Sequence, residues 1–226
     1  MIIIILAVFA VLAFLANMTI KSTVTRYVTV TVMFIGLALS VVAIVANMHS
    51  HFGMKTVVTT TKTEIYSAGS PQQQFGVLLY QSVGTAGKEN VYIYKASPDA
   101  KKTTLAKPDL QTTSQRVAVD GDKAYKIVQA TRYVYRNNTY KFLFGWAGNN
   151  HQLKHKHVIY QVPATWIAMT PDQAKSLAAK MAPKTPEEQA GAAAKQAELA
   201  ALAKIDPDRA ARAQVDQIKQ VLQITQ

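Results

Sequence analysis

Residues 1–48 read MIIIILAVFAVLAFLANMTI (1–20), KSTVTR (21–26) and YVTVTVMFIGLALSVVAIVANM (27–48). The first and third stretches carry no charged side chain. At about 1.5 Å per helical residue, each is long enough to cross a hydrocarbon core of about 30 Å. In lipid every backbone N–H and C=O must be bonded within the chain, so both read as helices. Residues 1–50 are therefore expected to form a transmembrane helical hairpin, with spans at about 1–20 and 27–48. A cleaved signal peptide is the competing reading of either span. The first lacks a charged leader and a clean small-x-small site, and both apolar runs are overlong for it.

Small residues mark where two such helices approach. Ala7, Ala10, Ala13 and Ala16 recur every three residues, and Gly36 and Ser40 form a small-xxx-small pair. These six are the candidate helix-packing positions, for each other or for a membrane-protein partner. The polar Asn17, Thr19, Thr29 and Thr31 lie toward the connecting loop. No ionisable residue lies deep in either span, which argues against an ion pathway or proton relay. The loop carries Lys21 and Arg26, and the positive-inside bias places it in the cytoplasm with both chain ends outside. Lys55 and Lys62 pull the other way. The expected location is a two-pass cell-membrane protein with its folded domain outside.

The chain has 226 residues and a formal charge of +12. The hairpin holds +2, residues 51–169 hold +9 and residues 170–226 hold +1. A basic domain tied to a membrane is drawn to anionic headgroups or anionic envelope polymers. Nucleic acid fits the charge alone and is the less favoured partner. With no cysteine, disulfides, thiolate nucleophiles and Cys-ligated metals are excluded.

From residue 51 to 169 the texture becomes strand-like. Thr56 to Tyr66 is β-branched almost throughout, and Phe75 to Gln81 and Val91 to Tyr94 follow. Turn signals fall at Gly69-Ser70-Pro71, Gly84 to Gly87, Ser97-Pro98-Asp99 and Lys107-Pro108-Asp109. Arg116 to Val119 runs into Asp120-Gly121, a type I′ hairpin signal whose return strand runs from Lys123 to Tyr135. Asn137-Asn138 reads as a further turn, Thr139 to Phe144 as a strand, Gly145 to Asn150 as a turn, and Lys154 to Val162 as the last strand. With no helical period to carry a parallel crossover, the expected fold is a membrane-anchored all-β domain, an antiparallel β sandwich or partly open barrel.

Candidate contacts to an anionic surface are Lys88, Lys95, Lys101, Lys102, Arg132, Arg136, Lys141, Lys154 and Lys156. His155 and His157 share one face of a strand near His151, a pattern that can hold a metal. Lys154 and Lys156 would oppose a cation, so a solvated basic edge strand is the preferred reading and no metal or cofactor is expected. His49 and His51 read as interfacial residues. Tyr133, Tyr135, Tyr140, Phe142, Phe144 and Trp146 cluster with Arg132, Arg136 and Lys141. Such sets can stack on bases or sugars, though in a β domain they more often form the core face and cross-strand pairs. Asn137-Asn138-Thr139 fits a glycosylation triplet without a secretory context.

Residues 170–226 read as Ala-rich helices. Thr170-Pro171-Asp172-Gln173 is a capping box leading a helix to Met181. Glu187 to Lys204 is helix-favouring, and Asp206-Pro207 starts a helix with one apolar seam, Ala211, Val215, Ile218 and Leu222. This seam is the candidate partner surface. No nucleophile elbow, zinc-protease motif or phosphate loop occurs. Asp120 and Asp122, the only close acids of the middle domain, sit in an expected turn.

The hairpin, Phe75-Gly76-Val77-Leu78-Leu79-Tyr80, Val91-Tyr92-Ile93-Tyr94-Lys95, Tyr140-Lys141-Phe142-Leu143-Phe144-Gly145 and Pro163-Ala164-Thr165-Trp166 resemble an uncharacterised family of short two-span membrane proteins from lactic-acid bacteria. The resemblance covers roughly residues 1–170. It implies architecture and a Gram-positive setting, and brings no catalytic residue. The expected function is a non-enzymatic membrane-anchored envelope protein contacting an anionic polymer, a lipid surface or a partner protein. An accessory subunit of a membrane complex is the first alternative, and an envelope hydrolase with an unrecognised site the second.

Overall fold

The computed structural model describes residues 1–70, 73–83, 89–106, 109–181 and 186–223. Lys88, the break at 84–87, and the turn residues Pro71, Lys107 and Pro108 lie outside the described residues. The chain divides into two compact units, Met1–Thr59 with Ala130–His155, and Thr60–Gln129 with Lys156–Gln226.

The first unit opens with α1 (Ile2–Thr19) and α2 (Thr23–Ser50), each long and apolar enough to cross a membrane. The link is Ile20 to Ser22, shorter than the expected loop, and Arg26 lies in the first turn of α2. A positive charge ends a lipid-soluble run without ending the helix. The facing stripes follow helical spacing: Ile2, Leu6, Phe9, Ala13 and Ala16 on α1; Met33, Gly36, Leu37, Ser40, Ile44 and Asn47 on α2. Gly36 is required here, because a Cβ would stand 2.5 Å from the Phe9 ring. The Ser40 hydroxyl donates back to Gly36 O at 2.8 Å. Ala13 and Ala16 join this interface, but Ala7 and Ala10 are exposed. Each three-residue step falls about 60° short of a full turn, so four such alanines cannot share one face.

Beyond α2 the chain turns through His51 and Gly53, both left-handed, into β1 (Met54–Ile65). The expected strand at Thr139 to Phe144 is instead a helix, α3 (Asn138–Phe144), followed by a 3-10 turn at Gly145–Ala147. The reason is local. The Asn137 side chain accepts from Tyr140 N at 3.0 Å and caps the helix, a use of Asn that competes with the hairpin turn. Tyr140, Leu143 and Phe144 then point one way and pack with Ile2, Met54 and Tyr135.

The other strands are β2 (Gly76–Val83), β3 (Glu89–Tyr94), β4 (Thr104–Leu105), β5 (Thr112–Val119), β6 (Ala124–Tyr135), β7 (Leu153–Pro163) and β8 (Trp166–Met169). They form two four-stranded sheets, β1-β6-β7-β5 and β4-β3-β2-β8. β1, β6 and β7 run through both units. The expectation of an antiparallel all-β fold is corrected: both sheets are mixed. β2 pairs β3 antiparallel but β8 parallel, and β5 pairs β7 parallel from Thr112↔Lys156 to Val119↔Pro163. A parallel crossover needs length rather than a long helix, and here β6 and α3 supply it. Asp120-Gly121 makes no type I′ hairpin. Gly121 has φ +129 but Asp120 has no positive φ, and β7 separates β5 from β6. The basic strand Lys154 to Val162 is accordingly interior to its sheet.

The second unit has two hydrophobic clusters. One joins Ile65, Leu78, Tyr92, Tyr94, Val158, Tyr160 and Val162. The other joins Val77 of β2 and Ile167 and Met169 of β8 to Val215, Ile218 and Leu222 of α6 (Pro207–Leu222). The whole seam Ala211, Val215, Ile218 and Leu222 is buried, each large side chain contributing about 1.5–3 kcal/mol. These residues are core, not a free partner surface. α4 (Pro171–Met181) carries the expected capping box, Thr170 N to Gln173 Oε1 at 2.8 Å and Gln173 N to Thr170 Oγ1 at 3.2 Å. α5 (Pro186–Ile205) follows, and Asp206 caps α6 through Arg209 N at 3.0 Å.

Candidate functional site

A cavity of about 290 Å³ opens in the second unit between β3, β4, β5, β6 and β7. Period two in two strands builds its charged lining. Ala124, Lys126 and Val128 share one face of β6, and Lys156, Val158 and Tyr160 share one face of β7. In both cases the neighbours on that face belong to the core, so a half-buried lysine heads an apolar row. Lys126 Nζ donates to Tyr94 Oη at 2.8 Å. On β5, Thr112 and Ser114 stand beside Lys156 and Val158 in register. The Ser114 hydroxyl donates to Asn90 O at 2.7 Å.

Among the described lining residues the one carboxylate is Asp109. Its oxygens accept from Gln111 N at 3.2 Å and the Thr112 hydroxyl at 3.3 Å, which shape its own turn. Two lysines thus meet one carboxylate that is already engaged. The floor is aromatic. Tyr94 and Tyr160 line it with rings 5.9 Å apart, and the Tyr160 ring lies 4.3 Å from Tyr92 of the core cluster. Burial pushes the Tyr160 hydroxyl far above its usual range, helped by Tyr94 and Tyr92. Burial also raises Tyr92, opposed by the Arg116 guanidinium and a bond from Asn90. The Tyr92 and Tyr160 phenols therefore stay neutral at physiological pH, and the charged side chains of the described lining are Lys126, Lys156 and Asp109.

The predicted anion contacts divide between the units. Lys95, Lys101, Lys102 and Lys156 lie in the second, and Arg132, Arg136, Lys141 and Lys154 in the first. Among the described ones, only Lys156 reaches the cavity. Lys101 and Lys102 are exposed between β3 and β4. Lys95 is half-buried and donates to Gly69 O at 3.2 Å. Arg132 donates to His151 O at 3.0 Å, and Lys154 lies 5.5 Å from the Tyr133 ring centroid. Among the described residues 51–169, the ion pair is Lys123–Glu64. The first unit contains no Asp or Glu at all, against Lys21, Arg26, Lys55, Arg132, Arg136, Lys141 and Lys154.

The first unit also holds a polar network absent from the sequence reading. Asn47, fully buried near the end of α2, donates to Phe52 O at 2.7 Å and accepts from Asn149 Nδ2 at 2.8 Å. The Tyr135 hydroxyl lies 2.6 Å from Asn149 Oδ1 and 2.7 Å from Phe144 O. A lone Asn in an apolar run was its only signal. His51 stacks on Tyr133 with centroids 3.7 Å apart, and His157 Nδ1 lies 2.8 Å from Thr113 Oγ1. Among the described residues no three His, Asp or Glu side chains gather as a metal site would need.

A family described as a domain of unknown function, DUF4811, matches residues 22–177, and the chain belongs to it. No curated protein and no solved structure matches the chain.

Proposed function

We propose that this member of the DUF4811 family is a membrane-anchored, non-enzymatic binding protein of the cell envelope. Its hairpin spans the membrane, its folded part faces outside, and its basic surfaces engage an anionic polymer or lipid headgroup. The cavity beside Lys126 and Lys156 seats one anionic group of that ligand. The observation that carries the reading is that, among the described residues 51–169, Lys123 pairs with a carboxylate, Glu64, while Lys95, Lys126, Arg132 and Lys154 meet neutral groups. A half-buried lysine is costly without a counter-charge, and here the charge is supplied from outside the chain. The anchor is supported by the outward faces of both helices, where Phe14, Phe34 and Leu39 are exposed and lipid is the solvent that suits them.

The cavity has the concave shape and convergent polar groups a hydrolytic site would use. Its carboxylate, however, is held by the amide of Gln111 and the hydroxyl of Thr112, so binding fits it better than general acid–base work. The accessory-subunit reading rests on Ala7 and Ala10, since Gly36, Ser40 and the α6 seam are packed within the chain.

The test uses detergent-solubilised full-length protein and a polyphosphate chain, anionic vesicles and neutral vesicles as probes. Binding to an anionic probe should fall steeply with added salt. Replacing Lys126 and Lys156 by Ala should weaken it by roughly 10- to 150-fold per lysine, at about 1.5–3 kcal/mol for a charge-assisted bond. Salt-insensitive binding, or a double variant that binds as well as the parent, overturns the reading.

A further inference from the structure

We infer that α3 and the turn after it form a lipid-contact surface, with Phe142 and Trp146 seated beside Phe52 at the headgroup level of the bilayer. The inference rests on the proposed insertion of the hairpin and adds a third element to the membrane contact.

Four observations within the first unit lead to it. First, α3 is fastened to the ends of both spans. The α-amino group of Met1 donates to Phe142 O at 3.2 Å and Leu143 O at 3.0 Å. The Tyr140 ring meets Phe52 edge-on at 5.7 Å, and Ile2, Ala43 and Ile44 share one cluster with Tyr140 and Phe144. Gly53 admits this approach, since a Cβ there would enter the Tyr140 ring. Second, the length fits. Tyr27 and Ser50 are about 34 Å apart along α2 at 1.5 Å rise, so a core of about 30 Å leaves each end about 2 Å beyond the hydrocarbon, and Phe52 follows two residues past the second end, in the headgroup zone. α3 packs against that second level.

Third, the aromatic cluster is split. Tyr133, Tyr135, Tyr140 and Phe144 face the unit's own core, whereas Phe142 and Trp146 are 61% and 63% exposed. Large amphipathic rings with one apolar side left bare are the residues that collect at membrane interfaces. Fourth, the charge is complementary. Lys141 stands one residue from Phe142, Arg136 precedes the helix, and the unit holds no acidic side chain. Lipid phosphates are the partner this combination suits, more than a protein face, which would need carboxylates placed to match.

Two tryptophans, Trp146 and Trp166, make the test direct. The full chain is reconstituted into phosphatidylcholine–phosphatidylglycerol vesicles brominated either near the headgroup or deep in the acyl chains. The emission of Trp146 is the difference between the parent and the Trp146→Phe variant. It should be quenched more by the shallow bromines than by the deep ones. A third protein, Phe34→Trp on the Trp146→Phe background, reports the middle of α2 and should be quenched most by the deep bromines. If that probe is quenched while Trp146 is untouched, or is quenched most by deep bromines, the interfacial surface is wrong and the anchor stands. If neither is quenched, both fail.

Discussion

The hairpin and the second unit are inside-out relatives. In the second unit Leu78 and Tyr160 are fully buried between strands, and the cations stand around them. In the hairpin many large side chains point outward, Leu39 being 63% exposed, while the facing seam sets the small Ala13, Gly36 and Ser40 among Leu6, Phe9 and Leu37. The same apolar composition is thus used in opposite senses. Water drives the large residues of the second unit together, whereas between two helices placed in lipid, as proposed, close approach itself would supply the packing.

The most direct way to break that comparison is to make one truncation in each region and follow thermal unfolding in a mild detergent. Leu78→Ala should cost about 2–5 kcal/mol, the range for an emptied core site. Leu39→Ala should cost less than about 0.5 kcal/mol, as at a site with no packing partner. Equal losses would mean that Leu39 has a protein neighbour and the hairpin is not lipid-faced. In the other direction, Gly36→Ala enlarges the seam against Phe9 and should destabilise the hairpin by about 1–3 kcal/mol. A neutral result would show that the helices part easily and that the close approach matters little.

Alkaline pH separates the regions by chemistry. The hydroxyls of Tyr92 and Tyr160 titrate above their ordinary value near 10 when folded. The stabilisation this gives is complete below about pH 10 and is lost as pH rises toward the folded values, at about 1.4 kcal/mol per pH unit for each group. Unfolding midpoints should therefore drop on the alkaline side, and Tyr160→Phe should flatten the decline. A parent and variant with parallel pH profiles would remove Tyr160 as a cause. The smallest expected effects are at the caps. Asn137→Ala in the first unit and Asp206→Ala in the second should each cost about 1 kcal/mol, read by the same unfolding midpoint. A cap loss well above that at Asn137 would show that α3 holds the hairpin ends more tightly than its few bonds suggest.

The hairpin was legible because two runs of about twenty residues carry no charge, and in lipid a helix is the form in which such a backbone bonds itself. The capping box at Thr170 and the cap at Asp206 were legible because their signals are local. β1, β2, β3, β6 and β7 were legible as strands, whereas Thr139 to Phe144 and β8 were misread and strand partners were not legible. Asp120-Gly121 speaks only for its own turn, and nothing in its neighbours says that β7 will come between β5 and β6. Trp166 to Met169 was passed over as a strand because four apolar residues buried on both faces show no alternation. Asn137 carries two local meanings, turn and cap, and the apolar spacing of Tyr140, Leu143 and Phe144 decided between them. In the cavity, Lys156 was named for its charge, whereas Lys126 was missed. Its signal was a lysine in phase with Ala124 and Val128 on the inward face of a strand. Asp109, Ser114 and Asn90 reach the site through long-range pairing that spacing alone does not reveal.

The order β1-β6-β7-β5 also bears on how the chain reaches this state. β5 and β6 are made one after the other, yet the strand that joins them, Leu153–Pro163, is made later than both. Until it arrives, each presents an open edge that cannot be closed by its sequence neighbour. β8 repeats the pattern, reaching back across most of the domain to pair with β2. Contacts of such separation in sequence fold slowly, and waiting edges invite pairing between chains. A ribosome stalled before residue 153 would therefore hold a nascent chain whose central sheet has an unfilled slot.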